Sequence, residues 1–200
     1  MEKEILQAAR ILERGGVVCF PTETVYALAA NAYDADACQR IYEIKGRDYQ
    51  KPLAILAPTI ESLQEIAVTN DIFNKIAKEL SPGPITYILP KKGSFDLAVN
   101  ANLGLSSVAV RIPDHAIALA ILKEANCPVV ATSANISGES DSIDEAQVNS
   151  VFSEMVDLVV AGGKSKIGVA STIVDLCSGT YEILREGVVT KEMIENAIGG

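Results

Sequence analysis

Two short polar segments in this 200-residue chain carry the residue types of an anion-binding site. Lys45-Gly46-Arg47 puts two cations on one turn, and Ser133-Ala134-Asn135 supplies small hydrogen-bonding groups at the end of an apolar run. Gly46 gives the first turn a backbone freedom that a side chain would resist. Lys51 follows a few residues on, before Pro52, and concentrates positive charge in a chain that is otherwise acidic. Such a cluster suits a triphosphate or a carboxylate, with arginine acting as a planar fork and lysine as a point charge. The plainer reading is a solvated helix end, where cations meet the negative pole of the helix dipole. Upstream, Thr22, Thr24 and Tyr26 occupy alternate positions after a strand. They share one side if the chain stays extended, and their hydroxyls could then hold the polar groups of an amino acid. Arg111 stands just after the apolar run Val108 to Val110, either as a carboxylate fork or as one half of a surface salt bridge.

The pattern argues against hydrolase chemistry through a catalytic triad. His115 is the single histidine and sits at a probable helix start, which favours a structural role, and no Ser-His-Asp order or metal-ligand cluster surrounds it. Cys19, Cys38, Cys127 and Cys177 lack the paired spacing of a zinc site or the density of a disulfide scaffold and read as small core residues.

The elements that must position these groups alternate between helix and strand. Ile5, Ala8, Ala9 and Leu12 have helical spacing, and Val17 to Phe20 is a strand entered through Gly15-Gly16. Asp34 caps a helix that turns Ala37, Cys38, Ile41 and Tyr42 inward and ends at Lys45-Gly46-Arg47. Leu53 to Ala57 is a strand, Thr59 and Asn70 cap two further helices, and Ser81-Pro82-Gly83-Pro84 stops the second. Ile85 to Leu89, Val108 to Ile112 and Pro128 to Thr132 are apolar and rich in branched residues, as buried strands are. A helix over about 114–125 joins the last two. Residues 136–142 read as a mobile surface loop before a helix near 144–152, and late strands follow at 157–160, 171–176 and 181–184. A helix capped by Thr190 ends the chain. The class is α/β, and residues 1–200 read as one domain without repeats or linkers.

Bulk properties exclude several functions. A hydrophobic fraction of 48% with 22% charged residues belongs to a folded globular chain. No apolar run approaches the roughly 18 to 20 residues of a membrane span, and the start at Glu2-Lys3-Glu4 is unlike a signal peptide, which predicts a cytoplasmic enzyme. With 17 basic against 26 acidic residues the net charge is −9, so any contact with RNA has to be local or transient.

Taken together, Pro21-Thr22-Glu23-Thr24-Val25-Tyr26, Lys45-Gly46-Arg47 and Ser133-Ala134-Asn135 resemble the YrdC-like family, in the expected order and across nearly the whole chain from Gly15 to Gly187. The resemblance is to its short bacterial form, which lacks the C-terminal domain of longer members. It implies a single-domain twisted mixed sheet flanked by helices around a central, positively charged cleft. The implied activity is formation of L-threonylcarbamoyladenylate and pyrophosphate from L-threonine, bicarbonate or CO2, and ATP carried with Mg2+, for threonylcarbamoyladenosine in tRNA. Lys45 and Arg47 then take catalytic roles lining a shared threonine and ATP pocket. Thr24, Tyr26, Arg111 and the backbone at Ala131 take threonine, and Arg47, Lys51, Ser107, Ser133, Asn135, Ser171 and Arg185 take ATP. The site includes no protein-held metal, and the product passes to a separate threonylcarbamoyl transferase complex.

The chain departs from the family pattern at Asp48, Lys51 and Leu56, where Pro, Asn and His are frequent, and at Ala27-Leu28-Ala29, where two alanines replace glycines and stiffen what reads as a turn. Leu56 removes one expected threonine contact. Two other functions fit the pattern less well: a carbamoyl phosphate-dependent transferase, since a related domain occurs inside a larger hydrogenase maturation enzyme, and a non-catalytic RNA-binding module.

Overall fold

The computed structural model describes residues 1–46 and 51–199. The apolar runs form a mixed nine-stranded sheet in the order β7-β1-β2-β6-β3-β5-β4-β8-β9. In chain order these are β1 (Val18–Phe20), β2 (Ala27–Asn31), β3 (Ala54–Leu56), β4 (Ile85–Pro90), β5 (Ser107–Arg111), β6 (Val129–Ser133), β7 (Leu158–Val159), β8 (Thr172–Asp175) and β9 (Glu182–Arg185). The pairs β1·β7, β3·β5 and β4·β8 are parallel and the remaining neighbours antiparallel.

Helix boundaries follow the capping chemistry. The side chain of Asp34 accepts from the N–H groups of Asp36 and Ala37 at the start of α2 (Ala35–Lys45), and Gly46 ends it in the left-handed region at φ 57°. Thr59 and Ser62 form a capping box on α3 (Ile60–Ile66), and Asn70 caps α4 (Asp71–Leu80). Asp144 caps α7 (Glu145–Phe152), and the Thr190 hydroxyl accepts from Met193 at 3.3 Å at the head of α8 (Lys191–Gly199). The helix expected from Asp114 is α6 (Ala116–Glu124), preceded by His115, whose side chain makes no capping bond.

Two elements differ from expectation. The alanine-rich stretch after Tyr26 is strand β2, held between β1 and β6, although its residues lack the branching that marks the other strands. A short helix, α5 (Val99–Asn102), occupies a stretch without a periodic signal.

The two faces of the sheet are covered unequally. On one face Ile55, Val110, Val130, Tyr87 and Val174 join the larger core with residues of α2, α3, α4, α5, α7 and α8. On the other face α1 (Glu2–Glu13) and α6 pack through Ala8, Leu12, Ala118 and Ile121 over Val18, Phe20, Ala29 and Val129. That second cover reaches only one half of the sheet, and the rest of the face forms a cleft. Cys19 and Cys38 are buried core residues, whereas Cys127 is half-buried and Cys177 exposed, so the small-core reading holds for two of the four cysteines. Among the described residues no helix is long and apolar enough to cross a membrane.

Candidate functional site

Alternation along the strands builds the cleft. Residues in register across a sheet share a face. Ala131 of β6 faces Ala29 and Ala54, Ala54 faces Ala109 of β5, and Ala109 faces Ile88 of β4. Ala131, Ala54 and Ala109 therefore make a floor of methyl groups, low enough to leave a cavity of about 380 Å³ above the sheet. Larger or polar residues two positions on form its margins: Ser133 on β6, Leu56 on β3 and Arg111 on β5. The far side is closed by Thr86, Ser171, Ile173, Leu184 and Arg185, and the near side by residues 22 and 24–27.

Arg111 is 8% exposed and largely committed within the protein. Its Nη2 donates to Glu23 Oε1 at 2.7 Å and to Thr24 Oγ1 at 3.0 Å, and its Nε donates to the Gly83 carbonyl at 3.3 Å. A guanidinium has five N–H groups, so the two on Nη1 remain. The ion pair expected at the surface is a buried one, and a side-on fork to a ligand through Nη2 is already spent. Glu23, which the sequence reading leaves without a role, is the partner.

Lys45 lies behind the cleft margin. It is 2% exposed, and its Nζ donates to the carbonyl oxygen of Ser133, to that of Asn135 at 2.8 Å and to Asn135 Oδ1 at 2.6 Å. Ser133 Oγ donates to the same Oδ1 at 2.8 Å, and the Ser137 N–H donates to the Lys45 carbonyl at 2.8 Å. The end of α2 and the exit of β6 are thus tied together through one ammonium. The residues beyond that exit are also tethered: Ser142 N–H donates to the Ala134 carbonyl at 3.0 Å, and the Ser142 carbonyl accepts from Tyr26 N–H at 2.9 Å. Only the tip of the expected loop, 137–140, is exposed.

Arg185 donates through Nε and Nη2 to the Ser171 carbonyl at 3.1 and 2.8 Å, and Ser171 Oγ is 2.8 Å from Thr86 Oγ1. Burial lowers the pKa of Arg185, the charge of Asp141 opposes that, and Arg111 adds to it. The Tyr26 phenol is pushed up to about 12, first by burial and then by Glu145 and Asp144, so it stays protonated and donates to the Gly163 carbonyl at 2.9 Å. The Thr22 and Thr24 hydroxyls are 2.9 Å apart, on a bend rather than a continued strand.

Of the residues expected to form a site, Thr24, Tyr26, Lys51, Arg111, Ala131, Ser133, Ser171 and Arg185 line this single cavity. Lys45 and Asn135 support it from behind. Ser107 begins β5 opposite Pro90, with its carbonyl accepting from Asn102, and is not among the lining residues. Arg47 and Asp48 lie outside the described residues. Sequence reasoning missed the floor residues Ala54 and Ala109 and the wall residues Thr86, Ile88, Ile173 and Leu184. The floor had a signal, since alanine stands two positions before Ser133, Leu56 and Arg111 on three strands.

The described lining contains lysine, arginine and hydroxyl groups, with no carboxylate, histidine or thiol. Such a site binds and orients an anionic small molecule and stabilises charge on it, without a protein nucleophile or base. These features define an α/β protein with a ligand cleft on an open sheet face. Residues 10–187 match the Sua5/YciO/YrdC family model, described as telomere recombination, and the chain belongs to that family. It is 39% identical over 199 residues to proteins named threonylcarbamoyl-AMP synthase from Bacillus subtilis and Pyrococcus abyssi. Those alignments cover 99% of this chain but only 57% and 58% of the relatives, so the chain spans little more than half their length. The crystal structure of P. abyssi Sua5 complexed with L-threonine superposes with a TM-score of 0.94 at 39% identity, over 100% of this chain and 58% of that one. Escherichia coli YciO superposes at 0.84 and 26% identity, over 94% and 91%.

Proposed function

We propose that this chain is an L-threonylcarbamoyladenylate synthase, joining L-threonine, bicarbonate or CO2, and ATP into threonylcarbamoyl-AMP with release of pyrophosphate. The observation that carries the reading is the cleft itself, where Lys51, Arg111 and Arg185 are the charged groups among the described lining residues. Threonine presents a carboxylate and ATP a triphosphate, so each brings an anionic group to these cations, and the reading assigns no base from the protein. The threonine amine takes up CO2 to give a carbamate, and a carbamate oxygen attacks the α-phosphorus as pyrophosphate leaves. Arg111 offers Nη1 to the amino-acid carboxylate, beside Thr24 and the backbone at Ala131. Lys51, Ser133, Ser171 and Arg185 receive the nucleotide and its phosphates, with Arg47 as a further phosphate contact and Lys45 and Asn135 fixing Ser133 in place. Catalysis then consists of in-line positioning and charge neutralisation.

Mg2+ is carried by the triphosphate in this reading and neutralises its charge. In this reading the protein works in the cytoplasm and hands its labile product to a separate transferase that modifies tRNA. Its own tRNA contact is local, in keeping with the net charge of −9. Purified protein supplied with ATP, Mg2+ and bicarbonate should release pyrophosphate only when L-threonine is present. Release that ignores threonine, or none from folded protein, overturns the proposal.

A further inference from the structure

We infer that Glu23 is a positioning residue for the amino-acid end of the cleft: it orients Arg111 and cancels its charge, so that this end takes a carboxylate and refuses a polyphosphate. The inference rests on the function proposed above. Glu23 is 4% exposed and is not among the residues lining the cavity, so it acts through Arg111. Its Oε1 takes one N–H of Nη2 at 2.7 Å while Thr24 Oγ1 takes the other. The clamp cannot swing away, because the Glu23 carbonyl accepts from Ile167 N–H at 2.9 Å and the Thr24 carbonyl from Gly168 N–H at 2.8 Å. With Nε held by Gly83, one edge of the guanidinium is fixed to protein and Nη1 is left for the ligand. A free arginine offers several forks to any oxyanion, and this one offers a single nitrogen in a single orientation.

The charge matters as much as the geometry. A lone guanidinium in this cleft would attract the most highly charged ligand available, which is the triphosphate. Paired with a buried carboxylate, Arg111 contributes almost no net charge, and long-range attraction falls to Lys51 and Arg185 at the nucleotide end. Glu23 therefore separates two anionic groups of different charge, a carboxylate and a polyphosphate, that must occupy one cleft at the same time. Glu23 Oε2 is buried and has no hydrogen-bond partner among the described residues, so the carboxylate is held here at a cost that packing alone does not explain.

The test is calorimetric titration of L-threonine, and separately of inorganic triphosphate, onto wild type, Glu23→Gln, Glu23→Asp, Arg111→Lys and the Glu23→Gln/Arg111→Lys double variant. Glutamine keeps an acceptor for Nη2 but removes the charge. We expect Glu23→Gln to weaken threonine by about tenfold. We also expect triphosphate to compete with threonine in that variant, whereas in wild type and in Glu23→Asp it should not, and competition in wild type overturns the inference. In the Arg111→Lys background Glu23→Gln should add little further loss. Wild-type threonine affinity in Glu23→Gln overturns the inference, as does an equal loss with and without Arg111. If Glu23→Gln does not fold, triphosphate competing in folded Glu23→Asp as it does in Arg111→Lys overturns it instead. A wild type that binds no threonine overturns the functional reading, and this inference with it.

Discussion

Lys45→Met separates what the lysine does for the protein from what it does for a ligand. Methionine keeps most of the apolar stem and removes the ammonium, so three hydrogen bonds are lost, to the carbonyls of Ser133 and Asn135 and to the Asn135 side-chain oxygen, which keeps only Ser133 Oγ as a donor. These acceptors lie at a partly buried margin that water can reach, so the low end of the range applies, about 1 kcal/mol each and ~3 kcal/mol together. For a protein of this size that corresponds to a fall in Tm of about 6–12 °C. Losing the tie should also release Ser133 from the cleft and weaken ATP, so Tm and ATP affinity should fall together. Differential scanning calorimetry and nucleotide titration on the same preparation read both. Unchanged Tm with turnover abolished would refute the reasoning, because the ammonium would then act on the ligand and its contacts to β6 would contribute nothing.

Other substitutions probe the floor and the half-buried histidine. Ala109→Leu projects a larger side chain from the middle of the alanine floor into open space, so ligand affinity should drop by at least about tenfold while Tm stays nearly constant. Equal affinity for ATP and threonine in that variant would show that the cavity is not where they bind. His115 has its pKa lowered from 6.5, first by burial, against the opposing charge of Glu23. The unfolded chain then binds the proton more readily, so His115 contributes no pH dependence well above 6.5 and subtracts stability as pH falls below it. Wild type should therefore lose more Tm than His115→Asn between pH 7.5 and 5.5, and parallel losses would refute the assignment.

Much of this molecule is legible in its amino-acid order because local chemistry and tertiary structure agree. Asp34, Thr59, Asn70 and Thr190 cap helices through their own side chains, and the branched runs at Ile85, Val108 and Val129 are strands for the reason their composition suggests. β2 was not legible, because alanine has no strong preference and only its neighbours β1 and β6 make it a strand. Within the site, residue types marked out Arg111, Ser133 and Arg185, but no spacing rule places Glu23 against Arg111, 88 positions away, or turns Lys45 inward onto β6. Those pairings come from the order of strands in the sheet, which is not written in any one segment.

That order also governs how the protein can be made. β2 and β3 are adjacent in sequence among the strands, yet β6 stands between them. As the chain emerges, the β1·β2 hairpin and the β3·β5·β4 group share no strand-to-strand pairing until residues 129–133 arrive and pair with both. The sheet is joined late, by a long-range insertion. The inserted strand also brings Ala131 to the floor and Ser133 to the margin, so joining the two parts of the sheet and closing that margin of the cleft are one event, and β8 and β9 then add the far wall.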